Sequence, residues 1–276
     1  MDKNALVVKS NALIETSYRL TTNEQRLILT CIAQIRRDEG VTDQKMYLIS
    51  ASEFAKICGI DPKTAYRELQ SAALKLKRRE VRITQEPNGA GRRKTTLITG
   101  WVQSIKYTEG EGTVELRFNH DIIPYLSELN RCFTSYKLAN VVRMSSSYGA
   151  RIYEILVQWK DLGKKEIPLE QLRKLLQLEN QYLHMSNFKK RVLDPAVKDI
   201  NKNSDLWVTW TQKKTGRKVT GLIFQFGFKE EKKTKSQKSE IRVQGIEKSV
   251  IEKNARPGET YEQAALRIKN KVIETI

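Results

Sequence analysis

Cysteine and histidine are scarce in this chain of 276 residues. Cys31, Cys58 and Cys132 are odd in number and scattered, with no CxxC pair, so three free thiols in a reducing interior are expected. His120 and His184, the only histidines, lie too far apart in sequence for a helical HxxxH pair or an adjacent metal pair. Each is read as a surface or packing residue, which disfavours a nicking enzyme with a His-hydrophobe-His metal site and an active tyrosine. No window approaches the ~18 consecutive apolar residues of a membrane span. The opening MDKNALVVKSNALIETSY has no apolar core of signal-peptide length. No serine occupies a GxSxG elbow, and no carboxylate pair is marked out for acid–base work. GAGRRKTT (89–96) has the outline of a phosphate loop, but Arg93 stands where the wrap needs glycine and Asn88 where the first glycine belongs. It is read as a basic loop between strands. These absences predict a soluble, cytoplasmic protein that is not an enzyme and carries no metal or other cofactor.

Positive charge is what the chain has in plenty. Fifty Lys and Arg against 32 Asp and Glu give +18 at pH 7, with a pI near 9.7. Such an excess leaves the fold open but favours an anionic partner, either nucleic acid or acidic membrane. It is dense between Ser186 and Phe226, where nine Lys or Arg stand against three Asp. The stretch 180–228 reads as a basic amphipathic helix followed by two strands joined by a basic turn. Alone, such a run is more often a solvated face than a binding surface.

The rest of the chain supplies the context. Leu27, Ile28, Cys31, Ile32 and Ile35 predict a helix over 21–38, capped by Thr22 or Asn23 and ended by Gly40. Tyr47–Ile49 reads as a short strand. Ser50 or Ser52 then caps a helix that stops at Cys58-Gly59-Ile60, and Asp61-Pro62 starts the next. Ala55, Gly59 and Ala65 have helix-turn-helix spacing, small enough for two helices to meet. The helix from Pro62 to about Arg79 buries Ala65, Leu69, Ala72, Ala73 and Leu76. After it the period falls to two: a strand at 81–83, a loop at 87–91, a strand over 96–107, a turn at 109–112 and a strand at 113–118. Helix-turn-helix followed by such a sheet is a winged helix.

Residues 119–131 form the candidate boundary. Beyond it a helix is expected over 136–160, with Ile152, Ile155, Leu156 and Trp159 as its buried stripe. A short strand at Ile167, a helix over 169–178 and the basic helix and hairpin follow. YLISASEFAKICGIDPKTAYRELQSAALKL and EIPLEQLRKLLQLENQYLHMSNFKKRVLDPAVKDI thus match in pattern, though not in identity, as an architectural duplication. The fold class is α+β: an N-terminal winged-helix domain over 1–125, a C-terminal one over 126–228, and a tail over 229–276. In the tail, 229–238 is a polar linker and 259–276 has helical spacing.

NALIETSYRLTTNEQRLIL, RFNHDIIPYLSEL, FTSYKLANVVRMSSSYGARIYEILVQW and NFKKRVLDPAVKDINKNSDL, in that order, resemble the replication initiator (Rep) proteins of iteron-controlled bacterial plasmids. The resemblance covers 11–228 and leaves the tail unmatched. It implies two winged-helix domains that bind repeated origin sequences (iterons) in double-stranded DNA as a monomer. It further implies self-association through the first domain into a dimer that represses its own gene, and recruitment of the host initiator and helicase. It places the main recognition helix at Ser186–Arg191.

With Phe188, Val192, Ala196 and Ile200 inward, Ser186, Asn187, Lys189, Lys190, Arg191 and Lys198 become the DNA-facing set. Arg191 is assigned to guanine O6 and N7 and Asn187 to adenine, with Lys189 and Lys190 on phosphate. Pro195 removes one helical hydrogen bond and predicts a bend, either to fit a groove or to let two helical segments meet. Lys213, Lys214, Arg217 and Lys218 surround Gly216 at the hairpin tip as a wing. In the first domain Lys63, Thr64 and Arg67, with Arg92, Arg93 and Lys94 as wing, are the matching set. Two other functions compete. A transcriptional repressor without a replication role shares every one of these residues. A peripheral membrane or scaffolding protein is disfavoured, because the basic helix lacks exposed aromatic anchors on its apolar face.

Overall fold

The computed structural model describes residues 2, 4–36, 41–84, 96–108, 110–127, 129, 131–229, 242–243, 246–247, 260 and 262–267. Strand β1 (Leu6–Ser10) leads into a one-turn helix α1 (Asn11–Ile14), and α2 (Thr22–Ile32) follows. Thr21 starts α2 through a capping box: its side chain accepts the Glu24 N–H, and the Glu24 carboxylate accepts the Thr21 N–H. The cap is therefore Thr21 rather than Thr22 or Asn23, and the helix ends at Ile32, short of Asp38. Strand β2 (Tyr47–Ser50) precedes α3 (Ala51–Cys58) and α4 (Pro62–Lys77). Ser50 caps α3, and Gly59 ends it at φ +68°, a left-handed turn that glycine adopts without strain. Asp61 and Pro62 open α4, which buries Ala65, Leu69, Ala72, Ala73 and Leu76, the stripe its spacing predicts.

Strand β3 (Glu80–Ile83) pairs with β4 (Leu97–Gly100). The strand expected over 96–107 is two, because the fully buried Trp101 interrupts the ladder before β5 (Val102–Thr108). β5 turns back into β6 (Thr113–Phe118), and β2 adds to the other side of β6 to give the order β2-β6-β5. A 3-10 turn over His120–Tyr125 leads onward.

The helix expected over 136–160 is replaced by three elements: β7 (Phe133–Lys137), a short α5 (Ala139–Val142) and α6 (Ser147–Val157). β7 pairs antiparallel with β1, Leu6 opposite Lys137 and Ser10 opposite Phe133. Thr134 and Tyr136 are buried and their neighbours less so, a period of two whose partner lies at the start of the chain. Ser146 caps α6, which buries Ile152, Ile155 and Leu156; Trp159, just past it, is half-buried against the core.

The second module repeats the first. It runs through β8 (Lys164–Pro168), α7 (Leu169–Leu175), α8 (Met185–Phe188), a π-turn (Lys189–Leu193), α9 (Asp194–Asn203), β9 (Leu206–Thr215) and β10 (Lys218–Phe228). Its sheet order, β8-β10-β9, reproduces β2-β6-β5: the strand before the helix-turn-helix joins the last strand of the hairpin. Two winged helices in tandem are thus the architecture, and residues 1–229 form one compact unit. Residues 230–276 form another, in which a short ladder of β11 (Arg242–Val243) and β12 (Ile246–Glu247) and a helical turn over 262–267 are described. Residues 230–238 of the expected linker lie outside the described residues.

A buried polar cluster ties β1, β7 and α6 together. Lys9 Nζ lies 2.6 Å from Glu154 Oε1, and Arg151 Nη1 lies 2.7 Å from Glu154 Oε2. The Tyr136 hydroxyl also donates to Glu154 Oε1. Arg151 stacks 3.8 Å over the Tyr18 ring, and its Nη2 donates to the Ile14 and Thr16 carbonyls at 2.9 and 3.0 Å. Burial raises the Glu154 carboxyl's pKa, but the Lys9 and Arg151 charges and the hydrogen bonds outweigh this and hold it down at about 2.

Candidate nucleic-acid interface

The basic helix of the second module is built around a proline that a regular helix would reject. Pro195 has no N–H for the Arg191 carbonyl, and its ring would crowd that oxygen in an ordinary turn. The chain accommodates it with the π-turn, in which the Asp194 N–H reaches back to the Lys189 carbonyl. Residues four apart drift by about 40° around a regular α-helix. The wider π-turn takes up that drift, so Phe188, Val192, Ala196 and Ile200, each four apart, are all fully buried. The opposite face is left to Ser186, Asn187, Lys189, Lys190, Arg191 and Lys198, all exposed. Among the described residues none of these six side chains has a hydrogen-bond or ion-pair partner. A row of unsatisfied donors on a helix whose other face is anchored can meet an external polyanion without first breaking internal bonds.

Arg173 of α7 sets the turn that delivers this helix. Its Nη1 donates to the Leu178 and Gln181 carbonyls at 3.3 and 2.7 Å. Its Nη2 donates to the Tyr182 and Leu183 carbonyls at 2.8 and 3.3 Å, while the guanidinium lies 4.5 Å over the Phe188 ring. Burial lowers its pKa. Sequence reading missed Arg173 because a cation at the end of a helix looks like any other surface charge. Only the folded-back turn over 178–183 supplies the four carbonyls.

At the hairpin tip Gly216 takes φ +59°. Lys214, Arg217 and Lys218 are exposed and without partners among the described residues. Lys213 differs, since its Nζ lies 2.6 Å from Glu166 Oε1 on β8, with both side chains about half exposed (49% and 47%). An exposed pair of this kind contributes at most about 1 kcal/mol, so a phosphate can compete for the lysine.

In the first module Asp61 caps α4 and sets Lys63 and Arg67 outward, exposed and unpartnered among the described residues. Thr64 is half-buried and donates to Glu68 Oε1 at 3.2 Å. Arg67 borders a groove of about 480 Å³ with Thr22, Asn23, Ser71 and Lys75. Arg92, Arg93 and Lys94 fall between β3 and β4, outside the described residues. By sheet order the counterpart of the second hairpin is β5–β6, whose turn carries the exposed Glu111 instead of cations. A second groove, of about 830 Å³, runs between the modules and includes Arg19, Arg78, Arg82 and Lys174. These cations are scattered in sequence, so no local run signalled them.

The histidines stay apart: His120 is exposed beside Asp43 at 3.3 Å, and His184 is an exposed residue ahead of α8. Among the described residues no group of three His, Cys, Asp or Glu side chains is placed to hold a metal ion, and no helix is long and apolar enough to cross a membrane.

Comparison with known proteins gives matches to two family descriptions. Residues 6–157 match "Initiator Replication protein, WH1" and residues 168–226 match "Initiator Rep protein, WH2". A "Replication initiation protein" of Escherichia coli is 30% identical over 234 residues, covering 80% of this chain and 69% of that protein. The "PI protein" of Escherichia coli is 25% identical over 255 residues, covering 82% of this chain and 84% of that one. A crystal structure of the Pi initiator protein in complex with iteron DNA shares the fold, with a TM-score of 0.70 and 23% identity over 83% of this chain and 100% of that one.

Proposed function

The chain belongs to the initiator replication protein family with paired WH1 and WH2 domains, and on that premise we propose that it starts plasmid replication by binding tandem repeats in double-stranded DNA. One observation carries this reading: the unpartnered row of Asn187, Lys189, Lys190 and Arg191, presented on a helix whose other face is fixed in the core. Arg191 supplies the two parallel donors that suit guanine O6 and N7, and Asn187 the donor and acceptor that suit adenine. Lys189, Lys190 and Lys198 hold phosphates and set register without reading sequence. Lys214, Arg217 and Lys218, with Lys213 once released from Glu166, grip the backbone from the wing. Lys63, Thr64, Arg67 and the Arg92–Lys94 segment make the auxiliary contact of the first module.

The finer assignments rest on resemblance. A dimer joined through the first module represses the chain's own gene, and the bound monomer recruits the host initiator and helicase in the bacterial cytoplasm. No catalytic step is assigned to the chain.

Selection of bound sequences from random duplex DNA tests the reading, followed by a search for those sequences beside the gene. Tandem direct copies are expected. A lone inverted repeat would identify a plain repressor, and the absence of any preference over random duplex would remove sequence-specific recognition altogether.

A further inference from the structure

An unbroken run of hydrogen bonds joins the two reading helices. It starts in the first turns of α4, where Thr64 Oγ1 donates to Glu68 Oε1 at 3.2 Å. Glu68 Oε2 accepts Asn23 Nδ2 of α2 at 2.9 Å, and Asn23 Oδ1 accepts Arg26 Nη1 at 2.9 Å. Arg26 then spans to the end of α5 and the loop that follows it, giving Nε to the Val142 carbonyl at 3.0 Å and Nη2 to the Met144 carbonyl at 3.2 Å. The next two residues of that loop turn their N–H groups the other way. Ser145 N and Ser146 N donate to Asp199 Oδ2 at 2.8 and 2.5 Å, and Ser145 Oγ adds a bond at 3.0 Å. Asp199 belongs to α9, next to Lys198 in sequence.

The joint is tight at both ends. Thr22 Oγ1 and Gln25 Nε2 of α2 donate to the Ser145 and Ser147 carbonyls, each at 3.0 Å. Asp199 is only 8% exposed, so the loop N–H groups are its main means of satisfying a carboxylate charge away from water. A methyl group on Gly149 would lie 3.3 Å from both Asp199 Cβ and Met144 Sδ, which shows how closely α6 approaches α9. None of the bonds from Asn23 to Asp199 uses a side chain placed at the DNA face. Moving the second reading helix relative to the loop therefore breaks bonds to the buried Asp199 carboxylate, which has little water to replace them, and moving the first breaks the part-buried Asn23–Glu68 bond.

We propose that this strut, with Arg26 and Asp199 as its positioning residues, fixes the separation and angle of the two reading helices. The spacing between two half-sites thereby becomes part of what the protein recognises. The proposal rests on the reading above, in which both helices face DNA. Two modules held at one geometry gain from joint binding only when their sites match that geometry, whereas loosely joined modules tolerate a range of spacings.

The test uses the full chain and four duplexes: the selected repeat, the same repeat with one base pair inserted or two removed between its half-sites, and random DNA. Wild type is expected to lose roughly a hundredfold in affinity on either altered spacing. Asp199→Asn and Arg26→Gln are expected to lose less than about tenfold on the same change, while their discrimination of each isolated half-site from random DNA stays at the wild-type level. A variant with wild-type spacing dependence overturns the strut. So does equal wild-type binding to all three spacings, provided the repeat is still preferred over random DNA. If wild type does not prefer the repeat at all, it is the DNA-reading proposal that has failed. Arg26 is half-buried, so Arg26→Gln carries the test should Asp199→Asn not fold. Loss of cooperative thermal unfolding in both variants makes the bonds a requirement of the fold rather than of spacing, and overturns the proposal.

Discussion

Lys9 Nζ sits 2.6 Å from Glu154 Oε1, with both side chains buried and the two residues 145 positions apart in sequence. The pair pins the first strand of the chain to α6, and Arg151 and Tyr136 complete the shell around the carboxylate. Such a pair need not add much over an apolar replacement, but removing one member leaves the other charged and unpaired. Glu154→Gln is expected to destabilise the protein by about 3–5 kcal/mol, measured by urea denaturation at pH 7.

The same carboxylate predicts an acid limb. Its folded pKa, about 2, lies below the ordinary value of 4.5, so its contribution is complete above that value and is lost as pH falls towards 2. Wild-type stability should therefore fall across that window, and the Glu154→Gln protein should show a shallower fall there. Equal slopes in denaturation curves taken from pH 5 to pH 2 would remove Glu154 from the account.

Arg191→Ala is expected to weaken binding to the selected repeat by roughly 1–3 kcal/mol and to relax one base preference. Titration against duplexes carrying each single-base change locates that position. Equal losses on the repeat and on random DNA would reassign Arg191 to phosphate.

Lys214→Ala should weaken binding to repeat and random DNA alike, reducing the slope of log K against log salt by about one. The partnered Lys213 gives a smaller change, because Glu166 already offsets its charge. Affinity measured over a series of salt concentrations decides both.

Thiol reactivity separates the cysteines. Burial pushes the Cys58 thiol up to about 12 and the Cys31 thiol well above its usual value, whereas Cys132 is exposed. The thiolate is the reactive form, so the native protein should give one fast equivalent with a thiol reagent and the remaining two only on unfolding. Cys132→Ser should abolish the fast equivalent.

Much of the exposed basic surface of the second module was legible because it depends on neighbours in sequence. Ser50, Gly59, Asp61 and Pro62 mark helix ends by their own stereochemistry, and the structure places each at the boundary it predicts. The apolar residues at 188, 192, 196 and 200 name the buried face of the second helix, and so by subtraction the exposed basic one. What the spacing left open at Pro195 was how the backbone would keep that face aligned, and the answer is the π-turn.

The segment from Tyr136 to Lys160 failed as a single helix for the opposite reason. A strand is stabilised by a partner, and the partner of Phe133–Lys137 is Leu6–Ser10. Apolar spacing in one window carries no information about a ladder closed from so far away. The same holds for Arg173, whose four carbonyl partners converge only when the turn folds back.

The sequence by itself determined that this protein has two helix-turn-helix units with hairpins, a large positive charge, and one basic helix face free of apolar residues, since composition and short-range periodicity are local properties. Only the tertiary structure decided how those units are joined. Asp199, Arg26 and the loop around Ser145 are ordinary polar residues in the sequence. They become a connection between two helices because the fold brings donors and acceptors from α2, α4, the end of α5 with the loop after it, and α9 within hydrogen-bonding distance.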